Sequence, residues 1–195
     1  MSARSSPGSK PGPSSDDITP DSESEIRTRY SAARTRIPTM GVRATVLHIG
    51  AERTAVATGC QSQPEATLVL GIGSSKTARD YFKHRPPTPV ELENAIVGVE
   101  DEVARARTMT AKRSTLLTTD VAMREIALIA GVPDGAEMPL ALDAMERIFG
   151  RLVALTLGKP ALGQGIPTDP QFAATLLILR EFMHHMQFSS ITVRV

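Results

Sequence analysis

The sequence predicts an α/β domain in which helices pack against a mixed β-sheet. Three short apolar segments rich in β-branched residues follow one another through short turns, at residues 42–49, 54–58 and 66–70. Segments with helical spacing of apolar residues then alternate with two further strand-like segments, at residues 114–118 and 190–195. A sheet that begins with hairpins and later gains strands through helical crossovers belongs to the α/β class.

The N-terminal part of the chain differs from the rest in composition. Residues 1–25 are rich in Ser, Pro, Gly and Asp, so they bury too little apolar surface to offset the entropy cost of ordering, and we expect a disordered tail. Residues 26–41 are expected to form a short basic linker or helix containing Tyr30, which packs loosely or docks on a partner. Residues 42–195 are expected to form a single α/β domain.

The first three strands are predicted to form an antiparallel meander, because the turns between them are short. The third strand ends at Gly71, and a helix is expected to follow, capped by Ser74 or Ser75 and extending to Phe82. The next helix has the strongest start signal in the chain, T-P-V-E at residues 88–91. It combines a threonine cap, a proline in the first turn and the glutamate of a capping box.

This second helix carries a predicted apolar stripe and an acidic run. The stripe consists of Leu92, Ile96, Val97, Val99 and Val103. We interpret the acidic run, residues 100–102, as a solvated face rather than a metal site.

The second half of the chain predicts one strand and three helices before the final strand. Helices are expected at residues 120–130, 140–155 and 170–186, with a turn at residues 131–135. The complete order of elements suits one half of an actin-like, ribonuclease-H-like fold.

Composition excludes several classes of function. A net charge of +1 and an aromatic content of 4% argue against a nucleic-acid partner. Cys60 is the single cysteine, so no disulfide framework forms and a reducing compartment is expected. The sequence shows no apolar run long enough to cross a membrane and no secretory signal, so we predict a cytoplasmic protein without a membrane partner.

The sequence offers no catalytic residues from motifs alone. No G-x-S-x-G nucleophile motif is present. His184 and His185 are adjacent on a helix, so their side chains diverge by about 100° and do not readily share a metal ion. We therefore predict neither a catalytic residue nor a metal site.

A glycine-containing turn at residues 71–77 lies between a strand and a helix, as a P-loop does. A Walker A motif would require glycine at Leu70 and Ser75, so nucleotide binding of that type is not expected. Weaker anion binding is expected instead. Free N–H groups at the start of the helix, near Gly73, Ser74 and Lys76, would attract a phosphate.

Several strings occur in the same order as in one known family. They are V-L-H-I-G-A-E-R-T-A at residues 46–55, V-L-G-I-G at 69–73, P-P-T-P-V-E-L-E at 86–93, T-L-L-I-L-R-E at 175–181 and I-T-V at 191–193. Together they resemble the second domain of the exopolyphosphatase and guanosine pentaphosphate phosphohydrolase (Ppx/GppA) family. The family's first loop has the pattern D-x-G-G-G-S-x-E, and its glycines let backbone N–H groups close on phosphate oxygens.

The chain departs from the family at both phosphate-binding loops. His48 stands at the position of the aspartate, Gly50 is the one retained glycine, and Arg53 replaces the serine. Glu52 replaces another glycine and would place a carboxylate where phosphate oxygens lie. The second loop has Thr119 and its neighbours where G-T-G-G is expected.

The resemblance implies catalysis in a cleft between two domains, with a catalytic glutamate in the first. The residues before position 42 are too few and too polar to form that domain. We therefore expect a non-catalytic module that binds a protein partner or senses a phosphate-rich metabolite, such as polyphosphate or a guanosine alarmone. Homodimerisation is a plausible form of partner binding. The candidate ligand-binding residues are His48, Gly50, Arg53, Gly73, Ser74, Lys76 and Thr119.

Two alternatives remain open at this point. One is a phosphoanhydride hydrolase that uses Mg²⁺ and is completed by a partner chain; no cofactor is expected otherwise. The other is a structural scaffold that docks elsewhere through its basic segment, residues 27–36.

Overall fold

The computed structural model describes residues 20–35, 41–109, 114–159 and 165–194. Within these ranges, six strands form one sheet and six α-helices pack around it. The strands are β1 (Ala44–Ile49), β2 (Thr54–Gly59), β3 (Ala66–Leu70), β4 (Thr115–Thr118), β5 (Glu137–Ala141) and β6 (Ser190–Arg194). The helices are α1 (Pro20–Thr35), α2 (Ser74–Tyr81), α3 (Pro89–Ala104), α4 (Val121–Ile129), α5 (Leu142–Thr156) and α6 (Pro170–His185). A short 3₁₀ helix, Arg105–Thr108, continues from α3.

The sheet is mixed, with the strand order β3-β2-β1-β4-β6-β5. Strands β1, β2 and β3 pair antiparallel, which confirms the predicted meander. Strand β4 lies parallel to β1, and β6 lies parallel to β4. The carboxyl ends of β1, β4 and β6 therefore meet at one edge of the sheet.

Apolar side chains cover both faces of the sheet. Leu47 of β1 belongs to the larger cluster, which is filled by helices α2 to α6. Val46, its neighbour, belongs to a smaller cluster on the opposite face with Ile26, Tyr30 and Ala33 of α1. This alternation follows from the two-residue period of a strand. Helix α6 has the most buried face and lies at the centre of the larger cluster.

The prediction for the N-terminal segment needs correction. Helix α1 begins at Pro20, inside the stretch expected to be disordered, while residues 1–19 lie outside the described residues. Its buried residues, Ile26, Tyr30 and Ala33, recur at four- and three-residue intervals and form an apolar stripe. The average composition conceals this spacing, which is why the helix appeared too polar to pack.

Polar contacts also hold α1 on the domain. The hydroxyl of Tyr30 donates to the carbonyl of Gln61 at 3.1 Å. The buried guanidinium of Arg34 donates to the carbonyls of Val42 and Cys60 at 2.7 and 2.6 Å. Helix α1 is therefore packed tightly on its own sheet, and the described part of the basic segment is engaged within the domain.

Strand β5 was missed, and the predicted helix from residue 140 begins instead at Leu142. The strand contains Pro139 and lacks β-branched residues, so its sequence does not signal a strand. A proline is compatible with β5 because this strand lies at the edge of the sheet.

The helix starts agree with the sequence in one case and differ in another. Thr88 and Glu91 form the predicted capping box of α3. The start of α2 is not capped by a serine: the N-cap residue is Gly73, with no side-chain cap. Within α3, Val97 was placed in the apolar stripe but is 60% exposed, while Ala95 is buried in its place.

None of the helices in the described ranges combines the length and hydrophobicity needed to cross a bilayer.

Candidate functional site at the ends of strands β1 and β4

The seven predicted ligand-binding residues lie on three neighbouring segments. His48, Gly50 and Arg53 belong to the end of β1 and the turn before β2, and Thr119 follows β4. Gly73, Ser74 and Lys76 surround the start of α2. The parallel pairing of β1 with β4 brings the first segment beside Thr119.

The start of α2 is closed by the turn that follows β1. The backbone N–H of Ser74 donates to the carbonyl of Gly50 at 2.9 Å. The N–H groups of Ser75 and Lys76 donate to the carbonyl of Ala51 at 2.8 and 3.0 Å. These are the N–H groups that the sequence predicted to be free for a phosphate. In this structure they are satisfied from within the chain, so that part of the prediction is wrong, and phosphate binding itself stays a prediction.

Gly73 allows this close approach. A Cβ atom at this position would lie 2.5 Å from the carbonyl oxygen of Ala51 and 2.6 Å from the backbone N of Arg53. Backbone atoms at such distances do not give way easily. Gly73 therefore permits α2 to seal against the turn, a structural role that differs from cradling a phosphate.

The charged side chains of this turn and of α2 pair with one another at the surface. Arg79 donates to both carboxylate oxygens of Glu52, at 3.1 and 2.9 Å. These hydrogen bonds lower the pKa of the Glu52 carboxyl. The ammonium of Lys76 lies 2.5 Å from a carboxylate oxygen of Asp80. Lys76 therefore points to its own helix in this structure, and its charge is balanced there.

Asp120 joins the ends of β1 and β4. One of its carboxylate oxygens accepts from the backbone N–H of Ile49 at 2.8 Å. The other lies 2.7 Å from Nδ1 of His48, so Nδ1 carries the proton and donates. The side chain of Asp120 is 7% exposed. Because its carboxylate turns towards β1, Asp120 occupies the N-cap position of α4 without a side-chain cap.

Helix α1 adds two charged residues to this arrangement. The guanidinium of Arg29 donates to Asp120 at 3.2 Å and to the hydroxyl of Thr119 at 3.1 Å. Arg29 also donates to Glu25 at 2.8 Å, which lowers the pKa of Glu25 against an opposing effect of burial. Nε2 of His48 lies 3.7 Å from Glu25. We call Glu25, Arg29, His48, Thr119 and Asp120 the polar cluster.

Three members of the polar cluster were not predicted as site residues: Glu25, Arg29 and Asp120. A signal for Asp120 was present, since it follows Thr119 in the segment that the resemblance aligns with the second phosphate-binding loop. No comparable signal existed for Glu25 and Arg29, because their position depends on α1 packing against the sheet.

Comparison with known proteins tests the resemblance. No protein-family model and no curated protein sequence matches the chain. The solved structure of the Aquifex aeolicus PPX-GPPA enzyme matches 88% of this chain and 59% of its own, with a TM-score of 0.73 and 16% identity. An exopolyphosphatase from Cytophaga hutchinsonii matches 90% of this chain and 59% of its own, with a TM-score of 0.70 and 13% identity. The chain has a Ppx/GppA fold.

The match confirms the predicted architecture and its actin-like class. The Ppx/GppA-like domain spans about 59% of the length of those two structures, as a single domain would. A third structure, an exopolyphosphatase-like protein, gives the same result. It matches 84% of this chain and 55% of its own, with a TM-score of 0.66 and 12% identity.

A cleft of about 240 Å³ opens beside the polar cluster of the Ppx/GppA-like domain. Its lining includes the basic residues His48 and Arg53 and the acidic residues Glu25 and Glu52. A second cleft of about 210 Å³ lies where α2, α4 and α6 begin, and its lining includes Ser74, Glu125 and Asp169. Both clefts lie along the sheet edge at which α/β proteins commonly bind ligands.

Proposed function

We propose that this chain is a non-catalytic Ppx/GppA-like domain that acts as an interaction or phosphate-metabolite-sensing module. One observation carries the proposal. The first N–H groups of α2, at Ser74, Ser75 and Lys76, all donate to carbonyls of the turn after β1. Hydrolysis of a phosphoanhydride depends on donors that remain free for the charge developing in the transition state.

The carboxylates of the polar cluster and of the turn after β1 do not fit a magnesium ion. Mg²⁺ requires nearly octahedral coordination by oxygen ligands, of which one or two are carboxylates. Asp120 already accepts from His48, Ile49 and Arg29. Glu25 and Glu52 are each paired with an arginine. A hydrolase that needs Mg²⁺ at this place therefore finds no suitable ligand set, and we assign no catalytic step to it.

The sensing role is supported by the cleft beside the polar cluster. Its two carboxylates, Glu25 and Glu52, are each paired with an arginine, and its lining also includes the basic residues His48 and Arg53. The expected ligand is a phosphate-rich metabolite, for which polyphosphate and guanosine pentaphosphate serve as probes. The role in partner binding rests only on the two features that argue against catalysis: the engaged N–H groups at the start of α2 and the carboxylates that do not fit Mg²⁺.

The first experiment incubates the purified chain with each probe and Mg²⁺ while recording phosphate release and melting temperature. We expect no release above a mock-purified control. A sensing domain is stabilised by its ligand, by about 1.4 kcal/mol at a tenfold excess over Kd. The variants His48→Ala and Arg53→Ala should abolish this stabilisation. Lys159→Ala, which removes an exposed charge after α5, should retain it.

The outcomes separate the roles. A higher melting temperature without phosphate release supports sensing. No change in either measurement directs the search to protein partners. Phosphate release that copurifies with the chain would overturn the non-catalytic proposal and favour a hydrolase completed by a partner. Loss of a chain-specific partner after replacement of Arg27 by alanine, an exposed position of the basic segment on α1, would instead support a scaffold.

A further inference from the structure

A second group of ionisable side chains lies where the C-terminal end of α6 faces α3. Glu181 and His185 come from α6 and Glu100 from α3, and one ligand atom of each lies within 4.8 Å of the others. We propose that these three residues bind a divalent transition-metal ion of the zinc type. The sequence had suggested a solvated acidic run at residues 100–102. Only Asp101 of that run is exposed, while Glu100 and Glu102 are half-buried.

The three side chains converge from two helices. Glu181 and His185 are four residues apart, so they lie on the same face of α6. Nε2 of His185 lies 2.9 Å from a carboxylate oxygen of Glu100 and 3.5 Å from Oε2 of Glu181. The contact between α3 and α6 thus places two carboxylates around one imidazole nitrogen.

The Glu181 side chain is 4% exposed, so its carboxylate brings negative charge into a largely buried position. Its Oε1 accepts from Arg180 at 2.5 Å, and its Oε2 faces Nε2 of His185 at 3.5 Å. Burial of a charged carboxylate is costly unless opposite charge compensates for it, and a cation bound between Oε2 and His185 would add to the compensation from Arg180.

The donor set favours zinc over magnesium or calcium. Zn²⁺ binds imidazole nitrogen together with carboxylate oxygen, whereas Mg²⁺ and Ca²⁺ prefer oxygen ligands throughout. Three protein ligands leave one tetrahedral position for water. The site lies at the opposite end of α6 from the second cleft: α6 spans 16 residues, or about 24 Å, and it begins beside that cleft.

Arg107 controls the protonation of the imidazole. Its guanidinium lies 2.6 Å from Nδ1 of His185, and an arginine always donates. Nδ1 is therefore an acceptor, and Nε2 carries the proton that is donated to Glu100. A metal ion at Nε2 requires the other neutral tautomer, so this proton moves to Nδ1 and Arg107, which donates to Nδ1, must move away. Removal of Arg107 should therefore strengthen binding.

The test titrates the full chain with Zn²⁺ by calorimetry. Absorption with Co²⁺ reports the coordination geometry. We expect one ion per chain. His185→Ala and Glu100→Gln should each weaken binding by about a hundredfold or more, and Arg107→Ala should strengthen it about tenfold.

His184→Ala is the matched control, because the neighbouring imidazole contacts Glu146 rather than this group. It should bind zinc as the unaltered chain does. Circular dichroism establishes that each variant is folded. Equal zinc affinity in His185→Ala and the unaltered chain would place the ion elsewhere and overturn the proposal. Absence of binding in both the unaltered chain and Arg107→Ala would do the same.

Discussion

The carboxylate of Asp120 accepts a 2.8 Å hydrogen bond from the backbone N–H of Ile49. Asp120 follows β4 and Ile49 ends β1, so this bond extends the parallel pairing of the two strands beyond its last backbone contact. The same carboxylate accepts from Arg29 of α1. One side chain therefore connects the central strands with the helix that covers the second face of the sheet.

Replacement of Asp120 by asparagine should destabilise the fold. The amide keeps the shape of the side chain but loses the charge. Its NH₂ group would face a donor, such as His48 or the backbone N–H of Ile49, where the carboxylate accepts a hydrogen bond. We expect a loss of about 2–3 kcal/mol in the free energy of unfolding. Urea denaturation measures it. Asp101→Asn, at an exposed position of α3, is the control and should stay within about 0.5 kcal/mol. Equal effects of the two changes would contradict the role given to Asp120.

Alanine at Gly73 and at Gly150 should have opposite effects. At Gly73 the added Cβ meets backbone atoms of the turn after β1, so the start of α2 must move and stability should fall by about 1–3 kcal/mol. At Gly150, inside α5, the Cβ meets nothing within 4 Å, and stability should rise by about 0.5–1 kcal/mol. Thermal unfolding of both variants tests the pair. Unchanged stability of Gly73→Ala would show that the turn after β1 can move to accommodate the Cβ atom.

Glu91 should make stability depend on pH in the acid range. Burial acts to raise the pKa of its carboxyl, but hydrogen bonds from two backbone N–H groups and from His84 outweigh this and lower the pKa to about 2. Because the folded state has the lower pKa, the stabilisation is present above pH 4.5 and is lost as the pH falls towards 2.

Glu91→Gln provides the measurement for this effect. The difference in unfolding free energy between the unaltered chain and the variant should be about 1–2 kcal/mol at pH 6. It should shrink as the pH falls from about 4.5 to about 2. Glu93→Gln, a neighbouring exposed carboxylate, serves as control. A constant difference across this range would refute the linkage.

Tyr30 should contribute more by packing than by its hydrogen bond. Its side chain is fully buried between α1 and the sheet. Tyr30→Ala should cost about 3–5 kcal/mol, as for other large core truncations. Tyr30→Phe removes the hydroxyl that donates to Gln61, and should cost about 1 kcal/mol. Urea denaturation separates the two, and a small effect of Tyr30→Ala would mean that α1 docks weakly.

Much of the fold was predictable because its signals are local. The strand β3 and the start of α3 have strong patterns of β-branched residues and capping, and the structure agrees with both. Strand β5 was not predictable in this way. Its residues acquire strand structure by pairing with β6, and nothing within the segment itself indicates this.

The candidate site residues were predicted from the resemblance, which aligns His48 and Thr119 with two phosphate-binding loops, and their binding of a ligand stays a prediction. The parallel pairing of β1 with β4 brings these two residues together, and the strand order was not predicted from the sequence. The closure of the α2 start by Gly50 and Ala51 depends on a backbone approach that no motif encodes. Arg29 reaches the site through tertiary packing of α1, which the polar composition of its surroundings concealed.

The docking of α1 has a consequence for the order of folding. Arg194 of β6 donates to the carbonyl of Ala33 at 2.7 Å across 161 residues of sequence. Contacts between such distant residues form slowly, because a long loop must close before they contribute. During synthesis α1 leaves the ribosome ahead of every strand it covers. Its apolar stripe packs on residues of β1, β2 and β4, so it stays uncovered until β4 has been made, and only the bond from Arg194 has to wait for β6.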